Sequence, residues 1–304
     1  MNSASYVGRF APSPTGPLHY GSLLAAMASY CDARANQGRW LLRIDDIDPP
    51  RTAEGAATGI ERTLKHYGFE WDGNTQWQSS RTTAYLAAIG RLNDKSVLYP
   101  CSCSRKALAN AKVYPGHCLP RSNSESWAQA QEKIRSKLVT NTTEYAIRAH
   151  LKANTGFTDL VQSEQRFNAL SDLGDTIVLR RDNLFAYALA CAVDDSDGIS
   201  HVVRGQDLQA ATGVQIAIMA LLNKKAPQYA HIPLAMNSSG EKLSKQTKAP
   251  ALDALPVLPT LLQAWQHLGQ DSLNANSVGG FWSRAVVSWQ LAKVPKQSQL
   301  GGAL

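Results

Sequence analysis

The sequence predicts an α/β protein in which helices pack on a parallel sheet. Strand-like and helix-like segments alternate along the first hundred residues, and a glycine follows each of the two helical segments. Because a βαβα order places successive strands side by side in the same direction, it implies a parallel sheet. The chain has 304 residues, enough for one large domain or two modest ones.

The first elements are indicated by apolar spacing and by turn residues. Leu23, Met27 and Tyr30 recur at helical spacing, and Gly38 and Gly68 end the two helices. The predicted segments are, in order, a strand over 6–11, a Pro/Gly-rich turn over 12–17, a helix over 21–36, a strand over 40–44 and a helix over 54–67.

The pattern changes between about residues 98 and 170, where a cysteine cluster, a polar helix-like stretch over 124–137 and short strand-like pieces follow one another. We interpret this part as an inserted subdomain, after which the α/β pattern resumes at 176–180. The apolar runs 185–193 and 199–204 are joined by an Asp-rich stretch that is typical of a hairpin connection. A helix over 208–223 and a strand over 230–235 follow.

Four parts of the chain result from this pattern. They are the first half of the sheet domain (1–97), the inserted subdomain (98–175), the second half of the sheet domain (176–250) and a helical C-terminal segment (251–304).

Composition excludes a membrane protein and favours a cytoplasmic one. The chain is 44% hydrophobic and 18% charged, and no apolar run approaches the roughly 18–20 residues that cross a bilayer. The N-terminus lacks a basic start and an apolar core, so no secretory signal is expected. The net charge of +7 suits a polyanion such as RNA, but such a surplus is equally common on basic proteins that bind none.

A segment from Arg9 to Ser22 lies between the first predicted strand and the first predicted helix. A helix N-terminus presents unpaired N–H groups and suits a phosphate. Gly21 permits close approach of a ligand, and His19 can donate to a phosphate oxygen. An ordinary turn with a chance histidine explains the segment equally well.

A second candidate segment, 240–246, follows the strand over 230–235. Lys242 and Lys245 lie three residues apart beside Gly240, and two such lysines can clamp a triphosphate. A solvated basic loop is the alternative reading of this segment taken alone.

Taken together, His19–Ser22 and Lys242–Lys245 resemble the paired ATP signatures of class I aminoacyl-tRNA synthetases, usually written HIGH and KMSKS. The resemblance extends to about residue 255 and narrows to the glutamyl branch. The segments that carry this narrowing are 9–13, 43–48, 185–187 and 203–207. It implies the Rossmann-like catalytic domain of that class, with an inserted zinc-bearing subdomain and a short helical C-terminal part.

The resemblance also implies site residues. Two arginines can pair with the two carboxylates of glutamate, and an acid can hold its ammonium group. The implied glutamate-binding residues are Arg9, Phe10, Ala11, Pro12, Ser13, Asp45, Tyr187 and Arg204. The implied ATP-binding residues are His19, Gly21, Ser22, Lys242 and Lys245, of which His19 and Lys245 are the catalytic candidates.

Asp45 departs from this family, which commonly has glutamate at that position. Two plainer interpretations stay open: Arg43 and Asp46 form a surface ion pair, and Tyr187 is a core residue.

Only 59 residues follow Lys245, too few for the large anticodon-reading region of ordinary glutamyl-tRNA synthetases. The chain thus resembles the shortened paralogues of that branch. This implies activation of L-glutamate with ATP and Mg²⁺ without tRNA, then transfer of glutamate to queuosine at the wobble position of tRNA(Asp). A monomer without membrane association is expected.

Three of the five cysteines, Cys101, Cys103 and Cys118, cluster and suggest one structural zinc ion. General ligand preferences favour His117 as the fourth ligand, whereas the resemblance implies Tyr114. Three free thiols on a loop are the alternative.

Three rival functions remain at this point. A truncated glutamyl-tRNA synthetase would charge a tRNA 3′ end, a non-catalytic relic would bind RNA only, and a small nucleotidyltransferase would adenylate without any amino acid.

Overall fold

The computed structural model describes residues 6–120, 123–236 and 250–296, together with the backbone of 299–300. The helices are α1 (Tyr20–Ala35), α2 (Ala56–His66), α3 (Thr82–Asp94), α4 (Ser124–Thr140), α5 (Tyr187–Asp195), α6 (Gln209–Leu221), α7 (Val257–His267) and α8 (Val278–Ser288). The strands are β1 (Val7–Phe10), β2 (Arg39–Ile44), β3 (Gln76–Trp77), β4 (Leu98–Cys101), β5 (Ala146–Ala149), β6 (Thr155–Asp159), β7 (Ser163–Phe167), β8 (Thr176–Leu179), β9 (His201–Gly205), β10 (Gln228–Ile232), β11 (Ala235–Met236) and β12 (Gln299–Leu300).

The predicted parallel sheet is present in two halves. Strands β1, β2 and β3 pair in parallel, and so do β9, β10 and β6, with β7 added antiparallel to β6. Strands β1 and β9 lie side by side, and the N–H of Ser200 donates to the carbonyl of Val7 at 2.9 Å. The chain order reverses between these two strands. In open α/β sheets, ligands bind outside the carboxyl ends of the strands at such a point.

Helix α1 is buried along most of its length in the principal core. It packs against β1 and β9 on one side and against α7 and α8 on the other. The C-terminal segment contributes α7 and α8, as expected, and two contacts show that it packs on the body of the protein. Phe281 is fully buried, and the indole N–H of Trp289 donates to the carboxylate of Asp32 at 2.9 Å. None of the described helices is long and apolar enough to cross a membrane.

The inserted part forms a separate antiparallel sheet in the order β4-β5-β8, and the predicted polar helix is α4, which packs on β4. The strand expected over 176–180 exists as β8. However, β8 hydrogen-bonds to β5 in this small sheet rather than to the parallel sheet. Within the predicted insertion, β6 already joins the main sheet by pairing in parallel with β10, so the chain leaves that sheet again to form β8.

The hairpin expected around 185–204 is wrong, because its first half is helix α5. Alternate positions of this run carry Ala186, Ala188, Ala190 and Ala192, and alanine has the highest helix propensity. The helix packs against α3, α6 and β8, so it is apolar on several sides. Such a buried helix has no polar face, and a short apolar run of this kind cannot be told from a strand by periodicity.

Candidate active site

A cleft of about 390 Å³ opens where β1 and β2 end and α5 begins. Ser13 follows β1, Asp45 follows β2 and Tyr187 starts α5, and all three line the cleft. The N–H of Asp45 donates to the carbonyl of Pro12 at 3.0 Å, which joins the two loops. The cleft therefore lies at the carboxyl edge of the sheet, as the switch-point rule requires.

A set of buried charges lies below this cleft, which we call the buried charge cluster: Arg9, Arg43, Asp45 and Asp195. Arg9 donates to both Asp195 oxygens at 3.1 and 2.9 Å. Arg43 donates to Asp195 at 2.7 Å and to Asp45 at 2.6 Å. All four side chains are buried. Burial alone would raise the pKa of Asp195, but Arg9 and Arg43 outweigh it and hold that pKa well below its ordinary range.

The neighbouring Asp194 holds a second set of donors. Its carboxylate accepts from Gln78 at 2.8 Å, Tyr85 at 2.8 Å and Arg81 at 2.7 Å. Both aspartates sit at the C-terminal end of α5, where the helix dipole disfavours negative charge. The surrounding arginines offset that cost. Sequence reasoning missed both residues because the 194–198 stretch reads as a turn.

Both plainer interpretations of the glutamyl-branch motifs are contradicted. Arg43 pairs with Asp45 and Asp195, whereas Asp46 accepts hydrogen bonds from Ser79. Tyr187 is 36% exposed and lines the cleft, so it is not a core residue. Asp45 also lines the cleft, although its carboxylate is already engaged by Arg43. Burial raises the pKa of Asp45 and Arg43 opposes that effect.

Arg204 on β9 is held by neutral groups. Its Nη2 donates to Thr212 at 2.6 Å and to Gln215 at 2.7 Å, and its Nε donates to Nε2 of His231 at 3.3 Å. The Nδ1 of His231 donates to Asp159 at 2.5 Å, so Nε2 is the accepting nitrogen. Burial lowers the pKa of His231, as does Arg204, against the effect of Asp159. The imidazole is therefore neutral.

The predicted nucleotide end of the site is formed by the start of α1. His19 caps the helix in extended conformation, and its carbonyl accepts from the N–H groups of Ser22 and Leu23 at 2.9 and 3.1 Å. Ala251 forms an antiparallel bridge to His19. Lys242 and Lys245 lie outside the described residues.

The cysteine cluster comes together as expected. The sulfurs of Cys101, Cys103 and Cys118 lie within 4.8 Å of one another and could hold a metal ion. The Tyr114 hydroxyl is 3.5 and 3.7 Å from the sulfurs of Cys101 and Cys103, and accepts from the Cys118 N–H at 2.8 Å. His117 is exposed. Although burial opposes it, hydrogen bonding, chiefly from Tyr114, lowers the pKa of Cys118 to about 7.

Arg148 is a member of this cluster that the sequence did not indicate. Its Nε donates to the Cys101 sulfur at 3.3 Å, and its guanidinium lies 3.8 Å from the Tyr114 ring centroid. A cation beside a thiolate stabilises it. The only sequence signal is an arginine in an apolar strand.

The fold and the cleft define a class of protein. Residues 6–256 match the model for the catalytic domain of class I tRNA synthetases (E and Q), so the chain belongs to that family. Curated relatives named Glutamyl-Q tRNA(Asp) synthetase match nearly the whole chain. One from Aromatoleum aromaticum is 43% identical over 97% of this chain and 92% of that protein. One from Escherichia coli (strain K12) is 42% identical over 98% and 93%. Within the family, the chain groups with the glutamyl-Q tRNA(Asp) synthetases.

Solved structures agree on the fold. A glutamate tRNA ligase from Elizabethkingia meningosepticum, crystallised with its amino acid, has a TM-score of 0.78 at 21% identity, covering 98% of this chain and 67% of that one. A glutamate-tRNA synthetase from Elizabethkingia anophelis has a TM-score of 0.78 at 22% identity, covering 98% and 68%. The predicted synthetase fold class is confirmed.

Replacing Asp195 by asparagine is expected to lower the free energy of unfolding by about 3–5 kcal/mol, because Arg9 then lacks its buried counter-charge and Arg43 loses one of its two hydrogen-bonded carboxylates. Asp197→Asn is the matched control, since Asp197 is an exposed partner of Arg81 and its loss should cost less than about 1 kcal/mol. Denaturant unfolding of both variants measures this. Equal effects of the two changes would contradict the central role of Asp195.

The stability difference between wild type and Asp195→Asn should also depend on pH. The folded pKa of Asp195 is lowered, so its contribution is complete above the unfolded pKa of roughly 3.9. It is lost as pH falls from there through the folded pKa. The stability difference between wild type and Asp195→Asn should thus be constant from pH 7 to 5 and shrink below about pH 4.

Proposed function

We propose that this chain activates L-glutamate with ATP, without requiring tRNA, and transfers the glutamate to queuosine at the wobble position of tRNA(Asp). The observation that carries this proposal is the similarity over 97–98% of the chain to proteins named Glutamyl-Q tRNA(Asp) synthetase. A charge of +7 is consistent with a tRNA partner.

The reaction has two steps. An oxygen of the glutamate α-carboxylate attacks the α-phosphorus of ATP; one P–O bond forms, the bond to the β-phosphate breaks, and pyrophosphate leaves. An acceptor hydroxyl of queuosine then attacks the activated carbonyl and AMP leaves. Catalysis of the first step consists mainly of positioning and of charge stabilisation.

Glutamate would occupy the cleft beside the segment Arg9–Ser13. Arg204 suits the side-chain carboxylate, because the described residues provide no partner for its buried Nη1. Asp45 suits the ammonium group, at the place where relatives commonly have glutamate. Tyr187 closes the cleft from the start of α5. In the segment 9–13, Phe10 packs in the core, so that residue would act through its backbone.

ATP would lie at the start of α1, against His19, Gly21 and Ser22, with Mg²⁺ bound to its phosphates. Lys242 and Lys245 would stabilise charge on the leaving pyrophosphate. Support for this arrangement comes from Ala251, which bridges to His19 and follows Lys245 by six residues in the chain. The described chain therefore resumes, at 250–251, beside the proposed nucleotide site.

A single structural zinc ion would be held by Cys101, Cys103, Cys118 and Tyr114. Three sulfurs and a phenolic oxygen supply four ligands, which closes the coordination sphere and leaves no position for substrate. The ion would tie the end of β4 to the loop over 114–118. Its role is therefore stability of the inserted part, not chemistry.

The function is tested by locating the product. The wild-type protein should catalyse glutamate-dependent ATP–pyrophosphate exchange without tRNA. It should then label tRNA(Asp) that carries queuosine, but not the same tRNA lacking it. Nuclease digestion should place the label in the anticodon fragment. Label on the 3′ terminal nucleotide would instead indicate a truncated tRNA-charging enzyme, and RNA binding without exchange would indicate a non-catalytic relic.

Lys245→Ala is expected to reduce glutamate-dependent exchange by about 10²–10³-fold, the cost of losing one preorganised charge-stabilising group. The thermal midpoint should stay unchanged. Lys225→Ala, at an exposed position between α6 and β10, is the control and should retain full exchange. Unchanged exchange in Lys245→Ala would remove this lysine from the mechanism.

Tyr114→Phe is expected to weaken zinc binding at least tenfold, whereas His117→Asn should bind zinc like wild type. Even loss of an outer-shell partner costs about 10–100-fold, and the Tyr114 hydroxyl touches the sulfurs directly. Competition with a chromophoric chelator measures the affinity. The opposite result would make His117 the fourth ligand.

A further inference from the structure

We propose that the Tyr229 hydroxyl is a second donor to the side-chain carboxylate of glutamate, beside Nη1 of Arg204. This role rests on the proposed function and adds a selectivity residue to it. Three features of the described residues lead to this proposal. They are the N–H donors of Arg204 that have no acceptor, the position of Tyr229 on β10, and the charges that influence its hydroxyl.

The first feature is the number of donors that Arg204 still offers. A guanidinium carries five N–H donors. The Nε–H goes to His231, and the two N–H of Nη2 go to Thr212 and Gln215. Only the two N–H of Nη1 remain, and within the described part of the chain they meet no acceptor.

This arrangement excludes the usual way in which arginine binds a carboxylate. The parallel fork uses two different nitrogens, and two of the three are occupied here. Arg204 can therefore serve one carboxylate oxygen through Nη1. The second oxygen needs another donor, since a buried carboxylate oxygen without a hydrogen bond is strongly unfavourable.

The second feature is the place of Tyr229. In the parallel pairing of β9 with β10, His231 is opposite Arg204, and Tyr229 lies two residues before His231 on the same face. The Arg204 guanidinium carbon lies 5.4 Å from the Tyr229 ring centroid. The ring is held by His231, at 6.0 Å between centroids, and by Phe157, at 5.4 Å.

The third feature is the environment of the hydroxyl. Tyr229 is 1% exposed, and its oxygen has no hydrogen-bond partner in the described ranges. Burial raises the pKa of Tyr229, and Asp195 raises it further, while Arg204 and Arg9 lower it. The phenol is therefore protonated at neutral pH and can donate. The Arg204 guanidinium beside the Tyr229 ring places this phenol next to the proposed carboxylate-binding group.

Tyr20 provides a comparison. Its hydroxyl is also buried without a partner in the described chain, but burial alone raises the pKa of Tyr20, with no contribution from a charged side chain. An unpartnered hydroxyl is thus not by itself a sign of a ligand. Tyr229 differs because its ring lies beside the Arg204 guanidinium and because charged side chains influence its pKa.

Two such donors, Nη1 of Arg204 and the Tyr229 hydroxyl, favour a carboxylate over an amide. In glutamate the second oxygen accepts from Tyr229. In glutamine that place is taken by an NH₂ group, which is itself a donor, and the negative charge facing Arg204 is gone. A site discriminates strongly against a substrate that leaves the polar groups of the site unpaired.

The test is Tyr229→Phe, which removes the hydroxyl and keeps the ring. We expect KM for glutamate in ATP–pyrophosphate exchange to rise about tenfold or more, with kcat changed by less than about threefold, because the contact is remote from the reacting carboxylate. The preference for glutamate over glutamine should fall. The unfolding midpoint should stay the same or rise, since the lost hydroxyl has no protein partner in the structure described.

Tyr67→Phe is the matched control. Tyr67 is equally buried, but its hydroxyl donates to the carbonyl of Leu252 at 2.9 Å. This change should lower the unfolding midpoint and leave KM unchanged. A purely structural role for Tyr229 predicts the same behaviour for Tyr229→Phe, and that result would overturn the inference.

Direct calorimetric titration with glutamate separates the two levels of the proposal. If wild type and Tyr229→Phe bind glutamate equally well, the role of Tyr229 is contradicted and the proposed function stays intact. Wild type that neither binds nor activates glutamate contradicts the proposed function and this inference with it.

Discussion

The Asp195 carboxylate, bound by Arg9 and Arg43 at once, is the interaction on which the site depends. It joins the C-terminal end of α5 to β1, which borders the reversal of strand order, and to the neighbouring strand β2. All three groups are buried, so none can exchange its partner for water. Breaking such a pair leaves an uncompensated charge in a medium of low polarity. The cleft is therefore built on a contact that holds three elements in one geometry.

This contact also divides the arginines near the cleft into two kinds. Arg9 and Arg43 face a carboxylate, so their charge is largely neutralised within the protein. Arg204 is held by Thr212, Gln215 and the neutral ring of His231, which fix its orientation without cancelling its charge. A guanidinium whose hydrogen-bond partners are neutral keeps its attraction for an anion. This difference supports the proposal that Arg204 receives the side-chain carboxylate, although the sequence presents Arg9 and Arg204 as equals.

The cysteine cluster, away from the cleft, also places an arginine beside groups that can carry negative charge. Three sulfurs and the Tyr114 hydroxyl converge, and Arg148 adds a positive charge against both Cys101 and the Tyr114 ring. Thiolates are the form of cysteine that binds metal, so a neighbouring cation favours a metal site even before the ion arrives. A metal ion held by this cluster would add to the stability of the inserted part.

Short, local patterns were enough to predict much of this protein. The strand–turn–helix at the start, α1, α4 and the C-terminal helices follow from spacing and turn residues, and Ser13, Asp45 and Tyr187 were placed in one site through their motifs. The cysteine spacing likewise predicted its own cluster. Lys242 and Lys245 lie outside the described residues and stay predictions.

What the sequence could not determine are partnerships between distant positions: Arg9 and Asp195 are 186 residues apart, and only the order of the strands brings them together. The Asp-rich end of α5 reads locally as a turn, and Tyr229 reads as an ordinary strand residue. Their surroundings arise only after folding, because the tertiary structure decides which groups meet, and local composition carries no record of that.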